Sequence, residues 1–332
     1  MFLSLAGVSE LPTPVVAHAA DIVVPDDYPK IQDALDNAND GDTIFVRAGI
    51  YHERFVVRKT VSFKGENRET TIIDGDGTGS VFYLTPSSQV SLSGFKVRNA
   101  SYGVFMYHTY YHSHVITDNT LTHLDTGIAL AGSLVVNNDV SGNIISNNKL
   151  GFFLSGCKKN TISGNTIVNN TIGIRLTGSE DSVCEQNIIS GNTLRKNDQG
   201  IHLGSHASEN TIYGNNFVNN IVQVNSLSPI ESFHNTWDNG VKGNYWSDYK
   251  GQDLGGDGAG DTPYVIDEAN QDRYPFMSLI EEASPLPPLW MQWWFWATIA
   301  VGITVLAGVV LFLKKRKATT PYGHKLHSQE TV

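Results

Sequence analysis

The chain has 332 residues, with 23 Lys and Arg against 33 Asp and Glu and a formal net charge of −10 at pH 7. Five of the basic residues lie beyond residue 313, so residues 21–289 carry 18 basic and 31 acidic groups, a net −13. A surface of that sign argues against nucleic acid as partner, because phosphate binding needs a basic face. The length suits one large domain with appendages.

Residues 1–20 are mostly apolar and end in Ala17, His18, Ala19 and Ala20, an acceptable Ala-x-Ala cleavage site. No Lys or Arg precedes the apolar stretch, and Glu10 and Pro12 interrupt it. The expectation is an atypical export signal, with an upstream start as the alternative. Residues 21–59 read as a cap and first strands. Between Tyr28 and Ala38, the residues Ile31, Ala34, Leu35 and Ala38 share one face of a helix. Such a helix covers the open end of a solenoid.

Residues 60–234 read as repeats. Asn143, Asn165 and Asn187 lie 22 residues apart, with Asn119 before them and Asn215 after. Each has an apolar residue three places before it and another two places after. A second column follows, in which a glycine opens a short alternating strand at Gly127, Gly151, Gly173 and Gly200. Short alternating runs are strands and Asn/Gly clusters are turns, and the period leaves no room for a helix in each unit. The predicted fold is all-β: a single-stranded, right-handed parallel β-helix of about 22–24 residues per coil, with an N-terminal capping helix and one C-terminal transmembrane helix. Stacked asparagines then form side-chain amide ladders along the turns. Of the two cysteines, Cys184 takes an inward position in this register. Cys157, 27 residues earlier, is expected at a turn, out of register and beyond disulfide reach. The sequons at Asn99 and Asn169 suit an exported chain but arise easily in Asn-rich repeats.

Residues 235–280 read as a C-terminal capping motif, with Trp246, Tyr249, Tyr264 and Tyr274 over the last coil. Residues 281–289 are a Pro-rich tether. Residues 290–313 contain no charge and carry Trp290, Trp293, Trp294 and Trp296 at one end, with Lys314 to Lys317 following. A helix of that length crosses a bilayer, with an aromatic belt outside and the basic cluster inside. The solenoid is therefore expected outside the cell membrane and residues 314–332 in the cytoplasm.

The opening "YPKIQDALDNANDGDTIFVRAGIYHERFVV" resembles the start of the pectin-lyase-like β-helix superfamily. The Asn repeats and the closing "GNYWSDYKGQDLGGDGAGDTPYVIDEANQDRYPF" are similar to the NosD-type β-helix proteins, over roughly residues 22–277. That family includes a periplasmic factor in copper-site maturation of nitrous oxide reductase, and many archaeal surface proteins. The resemblance implies the fold, and copper handling as one function among several. The C-terminal anchor departs from the soluble pattern and suits a displayed surface protein, with envelope glycans or surface proteins as partners.

Three groups of residues are candidates for chemistry. Carbohydrate-active members of the superfamily, as the resemblance implies, place carboxylates or basic groups on outward faces of stacked strands. The outward positions here read Phe105, Ala129, Phe153, Arg175 and His202 in successive coils. Arg175 and His202, on adjacent coils with Asp198 near, suit an anionic sugar, as a binding site or as the catalytic group of a polysaccharide lyase or hydrolase. Asp125 and Asp198 are three coils, ~14 Å, apart, too far for a glycosidase pair. In the stretch Tyr107 to His114, the residues His108, His112 and His114 are candidate copper ligands, and Tyr107, Tyr110 and Tyr111 candidate sugar-stacking rings. Asp253, Asp257 and Asp261 alternate with glycines as in calcium loops, without the twelfth-position glutamate of an EF-hand.

Overall fold

The computed structural model describes residues 19–86, 88–107, 113–226 and 234–281. Among them, one helix, Ile31–Asn37, accompanies strands that pair in parallel, save for the antiparallel pair Tyr264–Val265 and Gln271–Asp272. Nine strands, from Asp21–Val24 to Thr211–Tyr213, stack in chain order as one sheet, and a fifteen-stranded sheet makes the remaining wall. In that wall the long strands Lys96–Tyr107 and Thr120–Ala131 turn a corner and join two columns of shorter strands. A typical coil is Asp139–Ser141, Ile144–Ser146 and Leu150–Ser155. The chain is a parallel β-helix of three strands per coil, as its period predicts. Residues 282–332, including the predicted span 290–313, lie outside the described residues, as does most of the predicted signal. Among the described residues no helix is long and apolar enough to cross a membrane.

Inward alternation stacks like on like. Ile162, Ile167, Ile174 and Leu176 of one coil have 0% exposure, as do Val140, Ile145, Phe152 and Leu154 of the coil before. Each such side chain contributes about 1.5–3 kcal/mol by leaving water. The glycine column has a steric cause. A Cβ at Gly127, Gly151 or Gly173 would stand 2.7, 2.4 or 2.6 Å from the carbonyl oxygen of the next glycine in the stack. Only glycine lets successive coils approach so closely at this corner.

The asparagines form three ladders rather than one. The middle ladder runs Asn119, Asn143, Asn165, Asn192, Asn215, Asn244. A second runs Asn138, Asn160, Asn187, Asn210, Asn235, Asn270, and a third Asn148, Asn170, Asn197, Asn220. At each step one coil's backbone N–H donates to the next coil's Oδ1, so these buried amides are satisfied along the stack. Each ladder runs out onto an aspartate. Asn244 donates its N–H to Asp272, Asn270 its Nδ2 to Asp267, and Asn220 reaches Asp248 through Gln223.

This corrects the register read from the sequence. Asn187 belongs to the second ladder, and Asn192, 27 residues after Asn165, carries the middle one. The coil between them holds an extra loop, closed by the bridge Ser179↔Ser182. Ladders within a coil are five residues apart, so an insertion of five residues leaves an asparagine where one is expected. Cys157 is corrected with it. Lys158 pairs in parallel with Glu185, which places Cys157 inward against Cys184 on the adjacent coil, with both thiols free and buried.

The ends are closed by polar and aromatic groups. Ile31, Ala34 and Leu35 of the helix are buried on the first coil. Its first N–H groups, on Ile31 and Gln32, donate to the Glu53 carboxylate at 3.0 and 2.8 Å. Lys59 Nζ donates to the carbonyls of Leu35, Asp36 and Ala38 at 2.9, 2.7 and 2.7 Å. Both sets of orphan groups at the helix ends are thereby met by opposite charges. At the other end Phe217, Trp246 and Tyr264 stack at centroid spacings of 4.2 and 4.1 Å. Tyr249 packs beside them at 6.4 Å from Tyr264, while Tyr274 lies against Arg273.

Candidate functional site

The outward column of the long sheet follows from strand register. Tyr83, Phe105, Ala129, Phe153, Arg175, His202 and Asn225 are successive parallel partners. Its first part is aromatic: Tyr102 stacks on Phe105 at 4.8 Å and 19°, with Tyr83 at 5.6 Å and Tyr107 at 5.8 Å from the same ring. Tyr107 is 43% exposed, at the rim of this patch. The structure thus places Tyr107 in an aromatic platform. Tyr110, Tyr111, His108 and His112 lie outside the described residues.

Further along, Arg175 Cζ lies 5.9 Å from the centroid of the Phe153 ring. His202 Nδ1 is 2.9 Å from Gln199 Oε1, and Asn225 Nδ2 donates to the same oxygen at 3.1 Å. That acceptor assigns the imidazole proton to Nδ1. His202 Nε2 and Arg175 Nε are buried without a hydrogen-bond partner. Burial, and then the charge of Arg175, hold the imidazole below its ordinary value, so it is neutral at pH 7. The guanidinium of Arg175 can donate to an oxyanion, while Nε2 of the neutral His202, which carries the lone pair, can accept from a hydroxyl or take up a proton. Arg175 and His202 come together as the register predicts. Asp198 does not join them: it is exposed at the preceding turn, with no hydrogen bond or ion pair to either. Gln199 takes that place. Strict alternation from His202 would send Gln199 to the opposite face, and the bend at Gly200 brings it back.

His114 is corrected from the surface turn to the interior. It has 0% exposure; its Nδ1 accepts the Val90 N–H at 3.1 Å and its own N–H donates to Asn138 at 3.0 Å. The histidine is the first rung of the second ladder, an imidazole nitrogen in place of an amide oxygen. In the acidic loop, Asp253 accepts from the amides of Gly256, Asp257 and Gly258, Asp261 from that of Leu254, and Asp257 from that of Ala259. Carboxylate oxygens there serve the loop's own backbone.

Among the described residues, one group of three has ligand atoms within 4.8 Å of one another: His52, Asp74 and Asp76. His52 Nδ1 lies 2.9 Å from Asp76 Oδ1. Asp74 accepts from Arg98 Nε at 2.9 Å and Asn99 Nδ2 at 2.8 Å. Burial raises the Asp74 carboxyl, but these bonds and the Asp76 N–H outweigh it and hold it below the usual carboxylate range. Sequence reading missed this group because its members come from two separated strand ends, His52 after Gly49–Tyr51 and Asp74 with Asp76 at the end of Thr71–Asp74, ahead of the regular repeats. From Asn99 a polar groove of about 560 Å³ continues along the corner past His123, Asn147 and Asn169, bridged by the Asp125–Lys149 ion pair at 2.6 Å. Those four residues sit at φ of 55–57°, a left-handed turn that asparagine tolerates.

Comparison with known proteins gives three findings. The model of a family described as periplasmic copper-binding protein (NosD) matches residues 35–251. A probable ABC transporter binding protein NosD of Stutzerimonas stutzeri is 38% identical over 102 residues, which are 29% of this chain and 22% of that protein. Its counterpart in Pseudomonas aeruginosa is 38% identical over 98 residues, 28% of this chain and again 22% of the relative. The match thus spans less than a quarter of either relative. Among solved structures, an alginate lyase from Paenibacillus sp. str. FPU-7 aligns at 13% identity and a TM-score of 0.37, over 68% of this chain and 97% of the lyase. A mutant of the periplasmic alginate epimerase AlgG aligns at 14% and 0.40, over 68% and 70%. Scores this low carry no functional argument. With its family model matched over well more than half of the residues, on a parallel β-helix with stacked asparagine ladders, the chain belongs to the NosD family.

Proposed function

We propose that the chain is an exported, membrane-anchored β-helix whose long-sheet face binds acidic carbohydrate of the cell envelope, as a binding or structural module. The observation that carries this reading is the pairing of Arg175 with His202, each with a buried nitrogen lacking a partner, beside the Phe153 ring. A sugar carboxylate would accept from the Arg175 guanidinium, a sugar hydroxyl would donate to the lone pair of His202 Nε2, and the platform of Tyr83, Tyr102, Phe105 and Tyr107 offers apolar ring faces to neighbouring sugars. Anchoring rests on the uncharged segment 290–313 with its flanking tryptophans and basic cluster. The test uses the full chain in detergent micelles, with immobilised uronate-containing and neutral polysaccharides. Retention on the acidic polymer alone is expected, with a tenfold or greater loss for Arg175→Ala, about 1.4 kcal/mol or more. Equal retention on both polymers, or indifference to Arg175→Ala, sinks the reading. A neutral His202 beside Arg175 also suits proton abstraction next to a carboxylate that the guanidinium neutralises, which is lyase chemistry. The same incubation, followed for an unsaturated sugar product, separates a lyase from a binder.

A second reading, metal handling, is favoured by the His52, Asp74 and Asp76 group together with the family's description. One imidazole and two carboxylates fit a divalent ion with nitrogen and oxygen preference, copper(II) among them. Arg98 beside Asp74 weakens that fit by its charge. Calcium at Asp253, Asp257 and Asp261 would share carboxylates that already accept the loop's amides. Metal content by mass spectrometry, after incubation with copper and calcium and extensive dialysis, decides both. Copper near one per chain that is lost in His52→Ala supports the second reading, and retention of neither ion removes it.

A further inference from the structure

Cys157 and Cys184 are the two cysteines of the chain, and both have 0% exposure. They share one inward column. Lys158 and Glu185 are parallel partners, the Glu185 N–H donates to the Cys157 carbonyl at 3.2 Å, and Cys184 pairs onward with Ala207. Stacked positions in a parallel sheet stand ~4.8 Å apart, within the Cα separation of about 4.4–6.8 Å that a disulfide spans. Both side chains point into the same dry core, so no rotation of the backbone is needed to bring the sulfurs together.

We propose that Cys157 and Cys184 are a cross-coil cystine site, oxidised by a disulfide-containing oxidant while the solenoid folds in an oxidising compartment. The compartment rests on the export reading above; the pairing does not. In the first step one cysteine gives its proton to solvent and the thiolate attacks a sulfur of the oxidant R–S–S–R. A mixed disulfide forms and RS⁻ leaves. The second thiolate then attacks the protein sulfur of that mixed disulfide, forming the Cys157–Cys184 bond and expelling the second RS⁻. The two leaving groups take up the two protons, so one oxidant disulfide becomes two thiols and two protein thiols become one cystine. The order of events follows from burial. In the closed solenoid, burial raises the Cys157 thiol well above its ordinary value, and its hydrogen bond with Cys184 adds to the rise. A protonated, inaccessible thiol does not exchange, so the bond is made before the two coils seal. It then ties together the coils on either side of the inserted loop around Ser179 and Ser182, where the coil-to-coil connection is longer than its neighbours.

The full chain in detergent is unfolded and reduced, then refolded either with an excess of oxidised glutathione or with dithiothreitol. Alkylation in denaturant followed by mass spectrometry reads the thiols. The expected result in oxidant is a chain with no alkylated cysteine and one peptide pair joining Cys157 to Cys184. Its midpoint of thermal unfolding rises by roughly 5–10 °C over the reduced chain. The double variant Cys157→Ala with Cys184→Ala refolds in either buffer with one midpoint. Two alkylated cysteines after refolding in oxidant, or glutathione on each cysteine without the cross-link, overturns the proposal. So does an equal rise in the double variant. The oxidant is supplied in the tube, so this result stands apart from export. A bond that forms in vitro but is absent from chain isolated from cells overturns the export reading instead.

Discussion

Asn165→Ala removes one rung from the middle ladder and tests whether the ladders hold the coils or merely accompany them. The residue has 1% exposure. Its Oδ1 accepts the N–H and Nδ2 of Asn143 at 2.9 and 3.0 Å, and its Nδ2 donates to the Val140 carbonyl at 2.8 Å and Asn192 Oδ1 at 2.9 Å. In the variant Asn143 Nδ2 keeps the carbonyls of Ile116 and Ser141, and Asn192 Oδ1 keeps the Asn165 N–H. The Asn143 N–H loses the acceptor that holds it. A buried orphan costs about 1–3 kcal/mol and each of the three further lost bonds about 1 kcal/mol, which gives a loss of roughly 4–6 kcal/mol. Each coil touches only its neighbours, so the effect concentrates in the coils of Asn143 and Asn192. Hydrogen exchange reads it directly: the Asn143 amide should exchange about a hundredfold faster or more, while the amide of Ile44, far along the stack, is unchanged. An Asn143 amide that stays protected, with an unfolding midpoint equal to the parent's, would refute the reasoning.

Three further outcomes are expected. Gly151→Ala places a Cβ 2.4 Å from the Gly173 carbonyl oxygen and 3.1 Å from an Ile167 methyl group. Backbone held by ladders on both sides cannot retreat, so thermal unfolding should show a loss of about 1–3 kcal/mol or more; a neutral substitution would mean the coils part easily. Lys59→Met strips three carbonyls at the end of the capping helix of their charged donor, and limited proteolysis should open residues 28–38 first, at a cost of about 1.5–3 kcal/mol. Acid titration of stability should show two carboxylates of opposite sign. Burial raises the Asp238 carboxyl, but the Arg273 pair and backbone amides outweigh it, so its folded value lies below the ordinary one; its stabilisation is complete above the ordinary carboxylate value and is lost as pH falls through the folded value. Burial dominates at Asp272 and raises it, so its contribution is complete below the unfolded value and is lost as pH rises through the folded one. Asp238→Asn should remove the acid-side loss, and denaturant midpoints between the ordinary carboxylate range and lower pH check it.

The parts of the fold that repeat were legible, and the parts that occur once were not. The glycine column announced its strands because a close approach of backbones admits no other residue, and it carried the pairing of Arg175 with His202 in correct register. The asparagines announced a ladder but not three, since rungs spaced by five residues hide an insertion of five. That hidden loop is why the sequence register puts Cys157 at a turn although it lies against Cys184. His114 looked like a surface ligand in an aromatic stretch because nothing in a single sequence tells an imidazole acceptor from an amide one. The His52, Asp74 and Asp76 group and the contact of Gln199 with His202 depend on corners, where alternation stops predicting which side a residue faces. Asp253, Asp257 and Asp261 follow a pattern that serves an ion or the loop's own amides equally well.

Each asparagine ladder hands its hydrogen bonds forward in one direction and stops at Asp267, Asp272 or Asp248. Aligned amides of this kind accumulate polarity as a helix does, with the donor end toward the C-terminal coil. The three aspartates are therefore full stops: carboxyl acceptors set where the rows of donors emerge. A solenoid written this way can be lengthened by copying a middle coil, because every interior rung accepts and donates alike. It cannot be ended by truncation, since the cut would leave three rows of donors facing a coil that is not there. The length of the solenoid is thus encoded where asparagine gives way to aspartate.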